Sequence, residues 1–152
     1  MQQKLAVKQN AIFFTIGYQS HTLQSFVRLL KSKRIQLLVD VRQNPISRKP
    51  GFSKSRLSIE MPLRGIEYVH YPSLGTPPPI RSIYFQHGPE RALKQYERYL
   101  LTKVQFVHSL VDTAADRRVC LMCLEKDPNL CHRGSIARKV GEITGCQPTH
   151  LM

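Results

Sequence analysis

The sequence lacks any apolar run long enough to cross a membrane. Its longest apolar runs, AIFF at 11–14 and VCLMCL at 119–124, fall far short of the roughly 18 to 20 residues that a transmembrane helix needs. The first residues, MQQKLAVKQN, also lack the charged start, apolar stretch and cleavage site of a secretory signal. These absences predict a cytoplasmic protein that does not contact membranes.

Cysteine is too sparse for a fold that depends on disulfides. The 152 residues contain four cysteines, which are Cys120, Cys123, Cys131 and Cys146. Small secreted proteins carry a denser framework, so we expect reduced thiols.

The composition predicts a single globular domain. Aliphatic and aromatic residues make up 41% of the chain and are regularly interrupted by charge, which is not typical of a disordered chain. A chain of this length can bury one proper core but not two. We expect an N-terminal tail over residues 1–10 and one α/β domain over residues 11–152.

Acidic residues are scarce, above all in the first part of the chain. Lys and Arg number 23 against 10 acids, a formal net charge of +13. Residues 1–59 contain eleven basic side chains and a single acid, Asp40. Such an asymmetric charge attracts polyanions, so nucleic acid or nucleotide phosphate is the expected partner. The alternative is a solvated basic surface that only keeps the protein in solution.

Apolar segments with the length and composition of buried strands alternate with helical patterns. The predicted strands are AIFFTIG at 11–17, LLVDV at 37–41, GIEYVHYP at 65–72 and VCLMC at 119–123, with an additional edge strand in PTHL at 148–151. The first predicted helix follows a cap at Ser20 or Thr22, and a short second helix lies within 53–63. One or two further helices run from Pro89 to Ala114. The last helix begins at His132 or Arg133 and ends at a cap at Gly145.

Two further segments are predicted to be irregular. Residues 42–56 combine five basic side chains with two prolines and a glycine, which indicates an exposed loop. Residues 74–81, LGTPPPIR, are expected to form a stiff connector, because successive prolines remove backbone donors and fix φ.

This alternation predicts a three-layer α/β domain with a mostly parallel sheet of four or five strands between helices. In such sheets ligands bind beyond the carboxyl ends of the strands. The chain segments that leave those ends are therefore expected to meet at one edge. They begin at Gly17 and Tyr18, at Arg42, at residues 72–75 and at residues 123–133.

The run from Cys131 to Ser135 is predicted to begin a helix, and free backbone amides at a helix start bind anions. Arg133 lies in this run, and Arg42 and Arg48 arrive from another loop. Arginine binds phosphate, sulfate or carboxylate with paired hydrogen bonds, so the edge is a candidate anion site. The alternative is an ordinary helix start with exposed arginines.

The cysteines near this edge admit a second hypothesis, in which a thiolate attacks the substrate. A helix start lowers the pKa of a thiol such as Cys131, and His132 is a neighbouring base. The spacing argues against it, because Arg133 follows Cys123 by ten positions and Cys131 by two, unlike the compact cysteine-to-arginine loops of phosphatases and sulfurtransferases. Buried cysteines that act as small apolar residues are the alternative.

Metal binding has weaker support in the sequence. Cys120 and Cys123 have the spacing of a zinc knuckle, but three positions along a strand send side chains to opposite faces. Only Cys123, Cys131 and His132 can then gather, and no second pair completes a four-ligand site. The sequence therefore predicts no metal and no other cofactor.

Two carboxylates, Asp40 and Glu125, are expected to lie in basic surroundings. A carboxylate there pairs with arginine, either as a structural brace or as an acid or base held in position. Asp40 is expected to position Arg42 or His132.

Five motifs resemble the family named domain of unknown function 488. They are TIG at 15–17, VDVRQNPISR at 39–48, GFSKSRL at 51–57, Tyr68 with LGTP at 74–77, and MCLEKDPNLCHR at 122–133. The last is the most specific, and the resemblance covers about residues 12–145. It implies a compact α/β domain with these motifs in one place and implies no activity. The chain departs from the family pattern at QSH (19–21) and in the prolines of TPPP (76–79).

The edge and the resemblance together define the candidate site. The resemblance adds Pro45, Ser47, Leu74 and Arg81 to the residues above. The candidate catalytic residues are Glu125, His132, Cys131, Cys123 and Asp40. The candidate anion-binding residues are Arg42, Ser47, Arg48, Arg81, Arg133 and Ser135. The residues expected to shape the edge are Gly17, Tyr18, Pro45 and Gly75.

Three functional hypotheses follow. The first is a protein that binds or acts on nucleic acid or a nucleotide, with basic residues on phosphates and Glu125, His132 and Arg133 at one nucleotide. The second is a thiolate-dependent enzyme acting on a small anion, similar to a sulfurtransferase or a phosphatase. The third is a non-catalytic anion-binding module.

Overall fold

A computed structural model describes residues 11–152, and within them five strands form one parallel sheet in the order β3-β2-β4-β1-β5. The strands are β1 (Ile12–Gly17), β2 (Leu37–Asp40), β3 (Glu67–His70), β4 (Arg118–Cys123) and β5 (Thr149–Leu151). The predicted parallel α/β sheet is thus confirmed, and the expected tail over 1–10 lies outside the described residues.

Helices cover both faces of this sheet and complete the predicted three layers. One face carries α1 (Leu23–Ser32) and α2 (Lys54–Glu60). The other face carries α3 (Pro78–His87), α4 (Pro89–Leu101), α5 (Val104–Ala114) and α6 (His132–Thr144). No helix in the described range combines the length and apolarity needed to cross a membrane.

The central strands are mostly apolar because both of their faces are buried. In β2, Leu37 and Val39 point into the core beneath α3 to α6, whereas Leu38 points into the core beneath α1 and α2. The same alternation separates two cysteines of β4. Cys120 lies in the core beneath α1 and α2, and Cys123 lies in the core beneath α3 to α6. The prediction that these two thiols face opposite sides of the sheet is confirmed.

Helix ends follow the predicted local chemistry. Thr22 caps α1 by accepting a hydrogen bond from the backbone amide of Ser25, and the Ser25 hydroxyl accepts one from the Thr22 amide in return. Gly145 ends α6 with φ 78°, a conformation that glycine adopts without steric cost. The pattern predicted from Pro89 to Ala114 forms two helices, α4 and α5.

The prediction of a connector over residues 74–81 is wrong. A short 3-10 helix spans Pro72–Leu74, and α3 begins at Pro78 within the supposed connector. Pro78 and Pro79 occupy the first turn of α3, where the backbone amides have no intrahelical partner. Proline costs little there and its fixed φ suits a helix, so the prolines that argued against a helix in fact begin one.

The strand register brings the segments after the strands together at the carboxyl edge. Gly17 at the end of β1 lies opposite Cys123 at the end of β4. A side chain at Gly17 would overlap the backbone carbonyl of Glu125, and one at Gly75 would overlap the backbone of Gln43. Glycine therefore permits the close approach of neighbouring loops on which the site depends.

Candidate functional site

A cavity of about 350 Å³ opens at the carboxyl edge of the sheet, and we refer to it as the edge cavity. Its floor contains Cys123, Cys131 and His132, contributed by the end of β4 and the start of α6. Its walls come from the loops after β1, β2 and β4 and from helices α3 and α4. The wall residues used below are Tyr18, Arg42, Gln43, Asn44, Ile80, Arg81, Tyr84, Phe85, Tyr96 and Glu125.

The two thiols and the imidazole of the floor form a compact cluster. The Nδ1 atom of His132 lies 3.6 Å from the Sγ atom of Cys123 and 3.8 Å from the Sγ atom of Cys131. These three atoms all lie within 4.8 Å of one another. The residues retain 4%, 2% and 8% exposure for Cys123, Cys131 and His132, so the cluster is almost completely shielded.

The orientation of the His132 ring follows from its second nitrogen. Nε2 lies 2.7 Å from the backbone carbonyl oxygen of Val41. A carbonyl oxygen only accepts hydrogen bonds, so Nε2 carries the proton and donates. In a neutral ring Nδ1 then presents its lone pair to both thiols.

The two thiols differ in acidity. Burial acts to raise the pKa of Cys131, but a hydrogen bond from Cys123 and the charges of His132 and Arg133 outweigh it, so its pKa lies well below the ordinary value. The hydrogen bond to Cys131, together with burial, raises the pKa of Cys123 well above that value. Cys131 is thus the more acidic thiol of the pair, and its negative charge when ionised raises the pKa of His132 despite the opposing effect of burial.

Glu125 lies on the cavity wall beside this cluster. Its Oε2 atom lies 3.4 Å from Sγ of Cys123, within reach of the thiol proton. Burial and the negative charge of Cys131 raise the pKa of Glu125 to about 7. This carboxyl group can therefore exchange a proton near neutral pH.

A buried hydrogen-bond network holds Arg42 at the cavity wall. Its Nε and Nη2 atoms donate to the two carboxylate oxygens of Asp40 at 2.9 and 2.7 Å, and its Nη1 atom donates to the hydroxyl of Tyr18 at 3.1 Å. Tyr68 donates a further hydrogen bond to Asp40 at 2.6 Å. Asp40 is fully buried and does not line the cavity, so it positions Arg42, one of the two partners predicted for it.

The part of the cavity lining that comes from helices α3 and α4 includes three aromatic side chains. Helix α3 contributes Tyr84 and Phe85, the latter 78% exposed, together with the guanidinium of Arg81. Helix α4 contributes Tyr96, whose ring meets the imidazole of His132 edge to face at 5.2 Å. The cavity thus combines flat aromatic surfaces with the guanidinium groups of Arg42 and Arg81.

Two predicted anion-binding residues lie elsewhere. The guanidinium of Arg133 is completely buried and donates to the hydroxyl of Thr15 and to the backbone carbonyls of Glu125 and Lys126. Ser135 lines a different cavity, between α4 and α6, and accepts a hydrogen bond from Arg138. Arg133 therefore braces the loop after β4, and anion binding by these two residues stays a prediction without support from their contacts.

The remaining predicted residues lie in the segments around the cavity without lining it. The Ser47 hydroxyl accepts a hydrogen bond from the backbone amide of Lys49, and the Pro45 carbonyl accepts one from the amide of Lys54. Arg48 is exposed in the same loop. Gly17 and Gly75 act through the close backbone contacts described above.

Further cations lie on the loops that contribute residues to the cavity lining. The ammonium group of Lys49 donates to the backbone carbonyls of Tyr18 and Gln19 and so joins two loops of this edge. Burial and the charges of Lys49 and Lys126 lower the pKa of His21, which places these three basic groups near one another. Within the described residues none of Arg48, Lys49, Arg81 and Lys126 forms a salt bridge.

Sequence reasoning missed the contribution of α3 and α4. Tyr84, Phe85 and Tyr96 were not predicted as site residues, and the first two belong to α3, whose first residues were predicted to be part of a connector. The missed signal was proline at the first helical positions. Gln43 and Asn44 directly follow Arg42 and were also missed, although the same loop was predicted to reach the edge.

The comparisons with known proteins identify a family and nothing narrower. A family model described as domain of unknown function DUF488 matches residues 22–140. No curated protein and no solved structure matches the chain.

Proposed function

The chain belongs to the DUF488 family, whose description names no activity, and we propose from its edge cavity that the protein binds single-stranded nucleic acid with one base inserted there. The single observation that carries this proposal is the joint presence of aromatic surface, amide groups and unpaired cations around one cavity at the carboxyl edge.

The size and lining of the cavity support a base as the occupant. A volume of about 350 Å³ lies within the range of roughly 300 to 1,000 Å³ that is typical of small-molecule sites. Tyr84 and Phe85 offer rings on which a base can stack. Gln43 and Asn44 carry both donors and acceptors, which suit the polar edge of a base.

The charge around the mouth supports a phosphate backbone outside the cavity. Arg81 and Arg42 line the cavity, while Arg48, Lys49 and Lys126 lie on the loops that surround it. Lysine and arginine bind phosphates independently of sequence and release counterions, so binding by such a surface weakens steeply with salt. The net charge of +13 acts in the same direction by attracting polyanions over longer distances.

A single strand fits this arrangement better than a duplex. Bases in a duplex are stacked and paired, and a cavity can receive one only after it has been extruded. In a single strand, bases already project from the backbone and stack on aromatic side chains at little cost.

The test measures how salt affects binding by Arg81→Ala and by a matched control. Arg81 is exposed at the cavity, whereas Lys33 is exposed at the C-terminal end of α1, near the amino edge of the sheet. With a fluorescent oligonucleotide, Arg81→Ala is expected to weaken binding. It is also expected to lower the slope of log affinity against log salt by about 0.7, the value for one lost phosphate contact on a single strand. Lys33→Ala is expected to match the wild type.

The comparison of ligands completes this test. Single-stranded RNA and DNA are expected to bind more tightly than a duplex of the same sequence, because extrusion of a base from the duplex costs free energy. A mononucleotide is expected to bind weakly, since it lacks the neighbouring phosphates. Binding that is absent, insensitive to salt or equally affected by both variants would contradict the proposal.

A further inference from the structure

We propose that Cys123, Cys131 and His132 form a binding site for one Zn²⁺ ion at the floor of the edge cavity, with the fourth coordination position open to the cavity. The proposal goes beyond nucleic-acid binding and does not depend on it, since it rests only on the arrangement of the three side chains. The sequence argued against a metal because no second pair of ligands completes a closed site. A three-ligand site needs no such pair.

The distances within the cluster match those that tetrahedral zinc requires. With Zn–S bonds of about 2.3 Å and a Zn–N bond of about 2.1 Å, tetrahedral angles separate a sulfur from a nitrogen ligand by about 3.6 Å. The observed separations from Nδ1 of His132 are 3.6 Å to Cys123 and 3.8 Å to Cys131. The two sulfur atoms lie within 4.8 Å of each other, so a small shift suffices for both to reach one ion.

The surroundings of the ligands are those of a metal site. The Nδ1 atom of His132 faces the sulfurs because Nε2 donates to the carbonyl of Val41 at 2.7 Å. Histidine ligands are usually oriented in this way, by a hydrogen bond from the nitrogen that does not bind the metal. Cys131 also precedes the first residue of α6, where the helix dipole favours a thiolate.

The donor set favours zinc over magnesium and calcium. Two thiolates and an imidazole are soft to borderline ligands, which suit Zn²⁺ and exclude Mg²⁺ and Ca²⁺ as normal occupants. Closed structural zinc sites have four protein ligands, whereas sites with three leave a position for water or substrate. The three ligands here all line the edge cavity, so the open position faces the space that a substrate would fill.

Glu125 is placed to act beside the ion without binding it. Its oxygens are not part of the set of donor atoms that lie within 4.8 Å of one another, although Oε2 lies 3.4 Å from Sγ of Cys123. A carboxylate in that position can hold a zinc-bound water by a hydrogen bond. Two cysteines, a histidine and a glutamate outside the ligand set also occur in zinc-dependent nucleobase deaminases. Activation of water is the chemistry that an open zinc position provides.

The experiment measures metal content and Co²⁺ spectra of the full chain, purified with a reducing agent and without nucleic acid. The wild type is expected to contain one Zn²⁺ per chain. After removal of zinc with a chelator, added Co²⁺ is expected to produce thiolate-to-metal charge-transfer absorption that Zn²⁺ abolishes. Cys123→Ser and Cys131→Ser are each expected to lose the bound zinc and this absorption.

The controls separate the metal site from general effects of thiol loss. Cys146 is exposed and distant in sequence from the cluster, so Cys146→Ser is expected to retain the zinc. Glu125→Gln is expected to retain it as well, because Glu125 is not a ligand. Loss of zinc from this variant would contradict the proposal that the fourth coordination position is open. A folded, reduced wild type that binds neither Zn²⁺ nor Co²⁺ would overturn the site, whether or not it binds nucleic acid.

Discussion

At the residue scale, the site depends on side chains that hydrogen bonds within the protein hold in position. Arg42 is 6% exposed and donates three of its N–H groups to Asp40 and Tyr18. The other N–H groups of its guanidinium can donate to a ligand in the cavity. Arg133 is buried completely and gives its guanidinium to Thr15 and to two backbone carbonyls. The sequence predicted both arginines at the edge but not which one faces the cavity. Arg42 lies on a loop and Arg133 on a helix, and the sequence does not show in which direction either side chain points.

The buried pair of Asp40 and Arg42 leads to a prediction at this scale. Asp40→Asn leaves the Arg42 charge buried without its counterion, and removal of one partner from such a pair costs about 3–5 kcal/mol. We therefore expect urea denaturation to show a loss of unfolding free energy in this range. Asp127→Asn makes the same chemical change at an exposed position and is expected to cost less than about 0.5 kcal/mol. Equal, small losses in both variants would show that Asp40 does not hold Arg42.

At the scale of helices and strands, periodicity predicted the elements that are long or buried on both sides. The strands ending at Gly17 and Cys123 and the helix capped by Thr22 follow directly from apolar runs and local caps. Helix α3 was missed because its first residues are prolines and only Ile80 in it is buried. A helix that packs weakly carries little apolar periodicity, and α3 instead directs aromatic residues to a cavity that no local pattern reveals.

The role of α3 as an aromatic wall is tested by Phe85→Ala. Phe85 is 78% exposed at the cavity, so its removal is expected to change the unfolding free energy by less than about 0.5 kcal/mol. Loss of one stacking contact is expected to weaken binding of a single-stranded oligonucleotide by about 1–3 kcal/mol, measured by fluorescence anisotropy. Leu63 is 76% exposed, follows α2 and does not line the cavity, and Leu63→Ala is expected to bind as the wild type does. Unchanged binding by Phe85→Ala would remove α3 from the site.

At the scale of the whole molecule, the parallel sheet brings together residues that lie far apart in the sequence. The predicted meeting of loops at the carboxyl edge accounts for the positions of Tyr18, Arg42 and the cluster at Cys123 and His132. In the sequence a metal site had less support than a thiol nucleophile and no metal was predicted, whereas the choice depends on distances of a few tenths of an ångström between three side chains. The nucleophile hypothesis stays a prediction beside the zinc site.

The central claim is that the edge cavity and its basic surroundings are the functional surface, and an NMR titration of backbone amides with a short single-stranded oligonucleotide tests it most directly. We expect the largest shift changes at residues 42–49, 76–85 and 123–132, which line or surround the cavity, while α5 on the same side of the sheet remains unchanged. Changes concentrated at the basic C-terminal end of α1, with an unperturbed cavity, would contradict the account.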